Sequence, residues 1–202
     1  MMPANIKLCA EFCAAAYDDS DIRFTTVDEL RFGLIVRDGM RHIVHRGTDN
    51  ATGWLEDFKA VPAEDFDGSL VHLGFKECTE KLMPHIFAAL AVSPQDLPIC
   101  VDGHSLGGSI AGMTTKRLVA AGFDAIAVTF GCPRYQSQVG ENSTAITHYR
   151  IINSFDPVVH APDGEMWIHT VEPFLDVAKP GDELSIDHHA PIETAYIARL
   201  AG

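Results

Sequence analysis

VDGHSLGGSIAG, residues 101–112, contains a G-x-S-x-G pentapeptide centred on Ser105. The apolar run Ile99, Cys100 and Val101 leads into it and predicts a buried strand. Residues 109–121 behind it read as a helix with small side chains near its start. A serine on such a strand-to-helix turn is pushed into a tight, exposed conformation. Gly103 and Gly107 suit that turn because a β-carbon would clash where the chain doubles back. The pattern predicts a nucleophile elbow, with the hydroxyl clear of the sheet and the next backbone N–H facing the same space. It needs a base, an acid and a second oxyanion donor from elsewhere in the chain.

On either side of the elbow the sequence alternates between helical and strand patterns. Apolar residues Ile6, Cys9, Phe12, Cys13 and Ala16 recur at near-helical spacing and predict an amphipathic first helix over 5–17. Residues 30–36 and 40–45 are apolar, β-branched runs joined by Asp38-Gly39, a strong hairpin signal. A long helix is expected over 75–91, kinked or split at Pro84. Strands are expected over 98–102, 125–130 and 147–152, a last one over 165–171, and a final helix over 191–200. The alternation favours a mostly parallel central sheet covered by helices on both faces, with an N-terminal β-hairpin. No linker or repeat interrupts residues 1–202, which read as a single domain.

Composition narrows the partners. The net charge of −13 argues against nucleic acid, since phosphate binding needs clustered Lys and Arg, and it disfavours spontaneous docking on anionic lipid surfaces. No run reaches the roughly 18 apolar residues of a membrane span, so no transmembrane anchoring is expected. The N-terminus lacks the cationic start and continuous apolar middle of a secretory signal. Five cysteines, none in a C-x-x-C pair, read as reduced and mostly buried thiols. The expected location is cytoplasmic, or secreted only if a signal has been removed. Ten histidines raise the question of a metal. His42 and His45 do not have strand-face spacing, no H-E-x-x-H or paired Cys/His cluster occurs, and no metal or organic cofactor is expected.

A serine hydroxyl needs a base within hydrogen-bond reach, and the base needs an acid on its other nitrogen. In an α/β-hydrolase these follow the nucleophile in the order acid, then histidine. Asp156 directly follows the apolar strand of YRIINSFDPV, and Pro157 stops that strand, which puts the carboxylate at the elbow's edge of the sheet. Asp163 and Asp176 end no strongly apolar strand. For the base, Asp187-His188-His189 stands immediately before the last helix. His188 is preferred, with His189 the alternative, because neighbouring side chains there should point in different directions. His148, His160 and His169 lie within or near strands and read as structural.

At this point the chain resembles the class 3 lipases, the family of filamentous-fungal triacylglycerol lipases. The resemblance runs through IVHRGTDN at 43–50, GWLEDF at 53–58, VHLGF at 71–75, GHSLGGSIA at 103–111, TFGCPR at 129–134, YRIINSFDPV at 149–158 and DHH at 187–189. It implies an α/β-hydrolase fold with Ser105 as nucleophile, Asp156 as acid, and His188 or His189 as base. It makes Thr48 the residue that closes the oxyanion hole, opposite the N–H of Leu106. The segment after the oxyanion loop is a lid in that family. Here residues 50–63 carry Trp54 and Phe58 on one helical face, either as a lid over substrate or as a helix packed on the core. The resemblance gives Asp57 a bracing role and makes Arg46 and Arg134 structural, paired with carboxylates, and leaves His45 unexplained. The chain is shorter than the fungal enzymes and looks reduced where they are disulfide-bonded.

The expected activity is that of a serine carboxylic-ester hydrolase, a lipase acting on acylglycerols or related lipidic esters, possibly at a lipid interface. Alternatives are a phospholipase A1 or an aryl-ester (feruloyl-type) esterase on the same scaffold. A third is a non-catalytic lipid- or partner-binding protein that kept the fold.

Overall fold

In the computed structural model, which describes residues 5–18, 22–48, 61–140 and 143–200, the chain builds a seven-stranded sheet around the elbow strand. Helix α1 (Ile6–Ala15) is followed by β1 (Phe24–Val27), β2 (Leu30–Arg37) and β3 (Met40–His45). Next come β4 (Pro62–Glu64), β5 (Leu70–His72), α2 (Leu73–Ala91), β6 (Ile99–His104) and α3 (Leu106–Ala120). The remaining strands are β7 (Ala125–Phe130), β8 (Gln136–Gln138), β9 (Thr147–Ile152) and β10 (Leu175–Asp176). Sheet order is β1-β2-β3-β6-β7-β9-β10, antiparallel as far as β3 and parallel beyond it, and a small second sheet has the order β4-β5-β8. Parallel neighbours require crossovers, and α3 supplies the one between β6 and β7.

The hairpin forms as its turn chemistry demands. Asp38 and Gly39 both have positive φ, 50° and 74°, the requirement of a two-residue turn that matches strand twist. Along β6, alternation sends Ile99 and Val101 to one face and Cys100 and Asp102 to the other. On the first face Ile99 and Val101 join Phe32 and Ile43 under Leu82, Ile86 and Leu90 of α2 and Ile110 and Leu118 of α3. The second face packs Val44, Cys100, Val128 and Phe130 against Cys9, Ala10 and Cys13 of α1. All five cysteines are free thiols. Buried ion pairs of Lys116 with Asp67 (2.7 Å) and Arg117 with Asp65 tie the loop after β4 to α3.

Three expectations change. Helix α2 is not split at Pro84 but runs through it, because that ring lies on the solvent face, where the carbonyl it frees can meet water. Residues 165–171 form no strand: Trp167 turns inward against His72 (5.6 Å between rings), so only Ile168 makes a bridge, to Gln136. The last helix begins as a π turn, Glu193–Ile197, before Ala198–Leu200. No helix among the described residues is long and apolar enough to cross a membrane. Trp54, Asp57 and Phe58, and with them any lid, lie outside the described residues.

Candidate active site

Ser105 sits between β6 and α3 at φ 58°, ψ −130°, one of three non-glycine residues with positive φ among those described. Such a conformation is costly for a residue with a β-carbon and persists only where its surroundings impose it. A β-carbon on Gly103 would run into the Gly107 carbonyl, and one on Gly107 into the His45 carbonyl. The two glycines therefore let the turn close on itself and let α3 press against the end of β3. Helix α3 starts at Leu106, earlier than the sequence pattern predicts, because the turn feeds it directly. Ser105 makes no side-chain cap to α3, so its hydroxyl is not spent on the helix, whose first N–H groups have no intrahelical partner.

The loop after β3 lies against this turn. A β-carbon on Gly47 would come within 3.1 Å of Ser105 Cβ and would also strike the Tyr17 hydroxyl and the His104 carbonyl. Thr48, next in the chain, therefore starts from the elbow's flank. His45 has a structural place: its Nε2 lies 3.2 Å from Thr114 Oγ1, and full burial pulls its pKa down to about 3, so the ring is neutral. Arg46 lies over the Tyr17 ring (5.8 Å), and the Arg134 guanidinium donates to the Pro162 carbonyl (3.3 Å); that bond goes to a carbonyl where a carboxylate was expected.

Asp156 follows β9 by a short turn and is fully buried. Oδ1 accepts from Val158 N–H (2.8 Å), which caps a 3-10 turn, Pro157–His160. Oδ2 accepts from the Tyr196 hydroxyl (2.8 Å) and lies 2.7 Å from His189 Nδ1. The carboxylate thus meets His189, the second of the two histidines weighed as base, and not His188, which was preferred. His188 Nδ1 lies 3.1 Å from an Arg199 nitrogen, and its Nε2 is 4.0 Å from Asp182, so that side chain belongs to the C-terminal arm. The two rings diverge because they end a 3-10 turn, Ile186–His188, with His189 as its buried C-cap.

Three positioning side chains had no sequence signal. Tyr196 reaches Asp156 from the π turn; burial, then the neighbouring carboxylate, raises its pKa well above the usual phenol range, which keeps the O–H as donor. His104 stacks on His189 (4.6 Å between ring centroids), and its Nε2 lies 2.9 Å from the His189 carbonyl. Tyr17 closes the chain, its hydroxyl 2.8 Å from His104 Nδ1. Since Nε2 must donate to the carbonyl, Nδ1 accepts from Tyr17, and His104 is a neutral tautomer. Burial, then the nearby His189, lowers its pKa well below the usual histidine range. A tyrosine–histidine relay thus holds the backbone of the histidine paired with Asp156.

Among the buried polar atoms left unsatisfied at this edge, one belongs to the elbow serine and one to the histidine beside Asp156. Ser105 Oγ and His189 Nε2 are both buried and have no hydrogen-bond partner among the described residues. With Nδ1 turned to Asp156, Nε2 is the ring nitrogen left open. His148 and His169 are occupied elsewhere, with Thr129 Oγ1 (2.8 Å) and the Val159 carbonyl (2.8 Å), and both pKa values are lowered to about 3, first by burial. His160 Nε2 lies 2.9 Å from the Ser154 carbonyl on the surface. Asp176 caps the backbone N–H groups of Ser154 and Ala178.

Comparisons with known proteins agree with this architecture. The model of the family described as lipase (class 3) matches residues 42–166. Lipase ZK262.3 of Caenorhabditis elegans is 31% identical over 183 residues, covering 81% of this chain and 51% of the relative. Secreted mono- and diacylglycerol lipase 1 of Fusarium solani is 30% identical over 125 residues, covering 58% of this chain and 38% of its own length. The chain therefore spans about half or less of these curated relatives. Among solved structures, the Rhizomucor miehei triacylglyceride lipase superposes with a TM-score of 0.70 at 22% identity, covering 84% of this chain and 77% of that one.

Proposed function

The chain belongs to the class 3 lipase family, and from that premise we propose that it is a serine carboxylic-ester hydrolase acting on acylglycerols or related lipidic esters. The observation that carries this reading is the 2.7 Å pair of His189 and Asp156, with an unpartnered Nε2, at the sheet edge that holds Ser105 in its strained turn. Ser105 Oγ attacks the ester carbonyl while His189 Nε2 takes its proton, and Asp156 holds the imidazolium that forms. Charge gathering on the carbonyl oxygen is met by the Leu106 N–H at the start of α3 and by the N–H and hydroxyl of Thr48. Collapse breaks the ester bond, His189 gives the proton to the departing alcohol, and an acyl-serine remains. Water then adds through the same base, releasing the fatty acid and restoring the hydroxyl. Names of relatives, among them a mono- and diacylglycerol lipase, support acylglycerols as the substrate class. Five free thiols support a reducing, cytoplasmic location, unlike that of the secreted Fusarium relative.

The test is a panel of p-nitrophenyl esters from acetyl to palmitoyl, with and without a lipid interface, beside labelling by a fluorophosphonate. Ser105→Ala should abolish both turnover and labelling while melting as the parent does. Turnover that persists in Ser105→Ala would end the reading. A preference for soluble acetyl esters, without a gain at the interface, would move the substrate away from lipids.

A further inference from the structure

A second cluster of reactive side chains lies on the α1 face of the sheet, away from the mouth of the elbow. Strands β3 and β6 pair in parallel with His42 opposite Cys100. Two residues on, alternation returns Asp102 to the same face as Cys100, and α1 lays Cys9 over them. Cys9, His42, Cys100 and Asp102 are all buried, and one potential ligand atom from each lies within 4.8 Å of all the others. His42 Nδ1 is 2.7 Å from one Asp102 oxygen, and Cys100 Sγ donates to the other at 3.1 Å. Cys9 Sγ completes the group from α1, within 4.8 Å of the ligand atoms of His42, Cys100 and Asp102.

From this geometry we propose that Cys9, His42, Cys100 and Asp102 form a structural site for a thiophilic divalent cation of the zinc class. Two sulfurs, an imidazole nitrogen and a carboxylate oxygen make four ligands, the number that fills a closed tetrahedral shell. Thiolate donors select against magnesium and calcium, which take oxygen ligands and larger shells. Two thiolates and one carboxylate around a doubly charged ion leave a formal charge of −1, the same as a three-cysteine, one-histidine zinc site. Without the ion, an imidazole and a carboxylate lie in an apolar layer where hydrocarbon side chains of similar volume would pack without the desolvation cost. Both thiols must lose their protons to bind as thiolates, so entry of the ion releases protons.

The site would fasten three elements that converge on the elbow. Asp102 lies three residues before Ser105, and α1 runs on to Tyr17, whose hydroxyl holds His104. The ion has a positioning and stabilising role and takes no part in ester cleavage. The inference is independent of the hydrolase reading.

To test it, the full chain is reduced, stripped with a chelator, and offered Zn²⁺ or Co²⁺ both in the native state and during refolding, followed by desalting and metal analysis. One ion per chain is expected, with a higher melting temperature, proton release on binding, and the thiolate-to-cobalt absorption of a four-coordinate site. Cys9→Ser and Cys100→Ser should weaken binding by more than the roughly 10- to 100-fold that loss of an outer partner costs. Cys78→Ser, outside the cluster, should bind as the parent does. Failure of the parent to take up stoichiometric metal in either state would overturn the proposal, and leave a hydrogen-bonded network only. Uptake retained in both cluster variants would also overturn it. The parent measurement decides even where a variant does not fold.

Discussion

Truncating His188 and His189 separately should give results that differ by orders of magnitude. His189→Ala removes the ring that lies 2.7 Å from Asp156 and leaves Ser105 without a base. Loss of such a base in a serine hydrolase costs on the order of 10⁶ in kcat, equivalent to about 8 kcal/mol of transition-state stabilisation. His188→Ala removes a ring contact with Phe155 (6.5 Å between centroids) and partly exposed contacts with Arg199 and Asp182, whose side chains are 15% and 14% accessible. Such a contact contributes about 0–1 kcal/mol to stability and nothing to the chemistry, so turnover should stay within roughly threefold of the parent. The assay is kcat/KM on a p-nitrophenyl ester at neutral pH, with a melting curve for each variant to show that the fold survives. A thousandfold loss in His188→Ala, or near-parental turnover in His189→Ala, would refute the assignment of the base.

Tyr196→Phe deletes one donor to the Asp156 carboxylate and should cost about 1.5–3 kcal/mol of stability together with a fall in kcat; unchanged melting and turnover would show the bond to be idle. Gly131→Ala would force a β-carbon to within 2.9 Å of Asp156 Oδ2, His189 Nδ1 and the Tyr196 hydroxyl, at a residue with φ 55°. It should lower kcat by about 10²-fold through displacement of the pair, as measured by the same ester assay. His45 and His148 are held neutral in the fold with pKa values of about 3, below the unfolded histidine value, so the folded protein binds fewer protons in acid. Their contribution is fully present above about pH 6.5 and is lost as pH falls towards 3, on the order of 2 kcal/mol per ring by pH 5. Denaturant midpoints should therefore fall between pH 7 and pH 5, and a flat profile would contradict the buried neutral rings.

The sequence by itself determined the features whose physics is local. The G-x-S-x-G turn needs small residues where its own backbone closes, and Asp38-Gly39 needs positive φ, so both are readable over a few residues. The apolar strand pattern and Pro157 likewise bracket Asp156, although β9 already ends at Ile152 and the carboxylate follows in a turn. Tertiary structure alone shows which of His188 and His189 lies beside Asp156, since adjacent rings at the end of a 3-10 turn differ only in what each one packs against. Stacking on His104 and a 2.7 Å approach to Asp156 draw His189 inward, while Arg199 and Asp182 hold His188 outside. The places of Tyr17 and Tyr196 beside the pair were hidden for the same reason. The four-ligand cluster escaped any linear motif because it depends on strand register, which puts His42 opposite Cys100 across 57 intervening positions, and on α1 docking over them. Local conformation can be read along the chain, whereas a partner brought by packing is set only when the sheet closes.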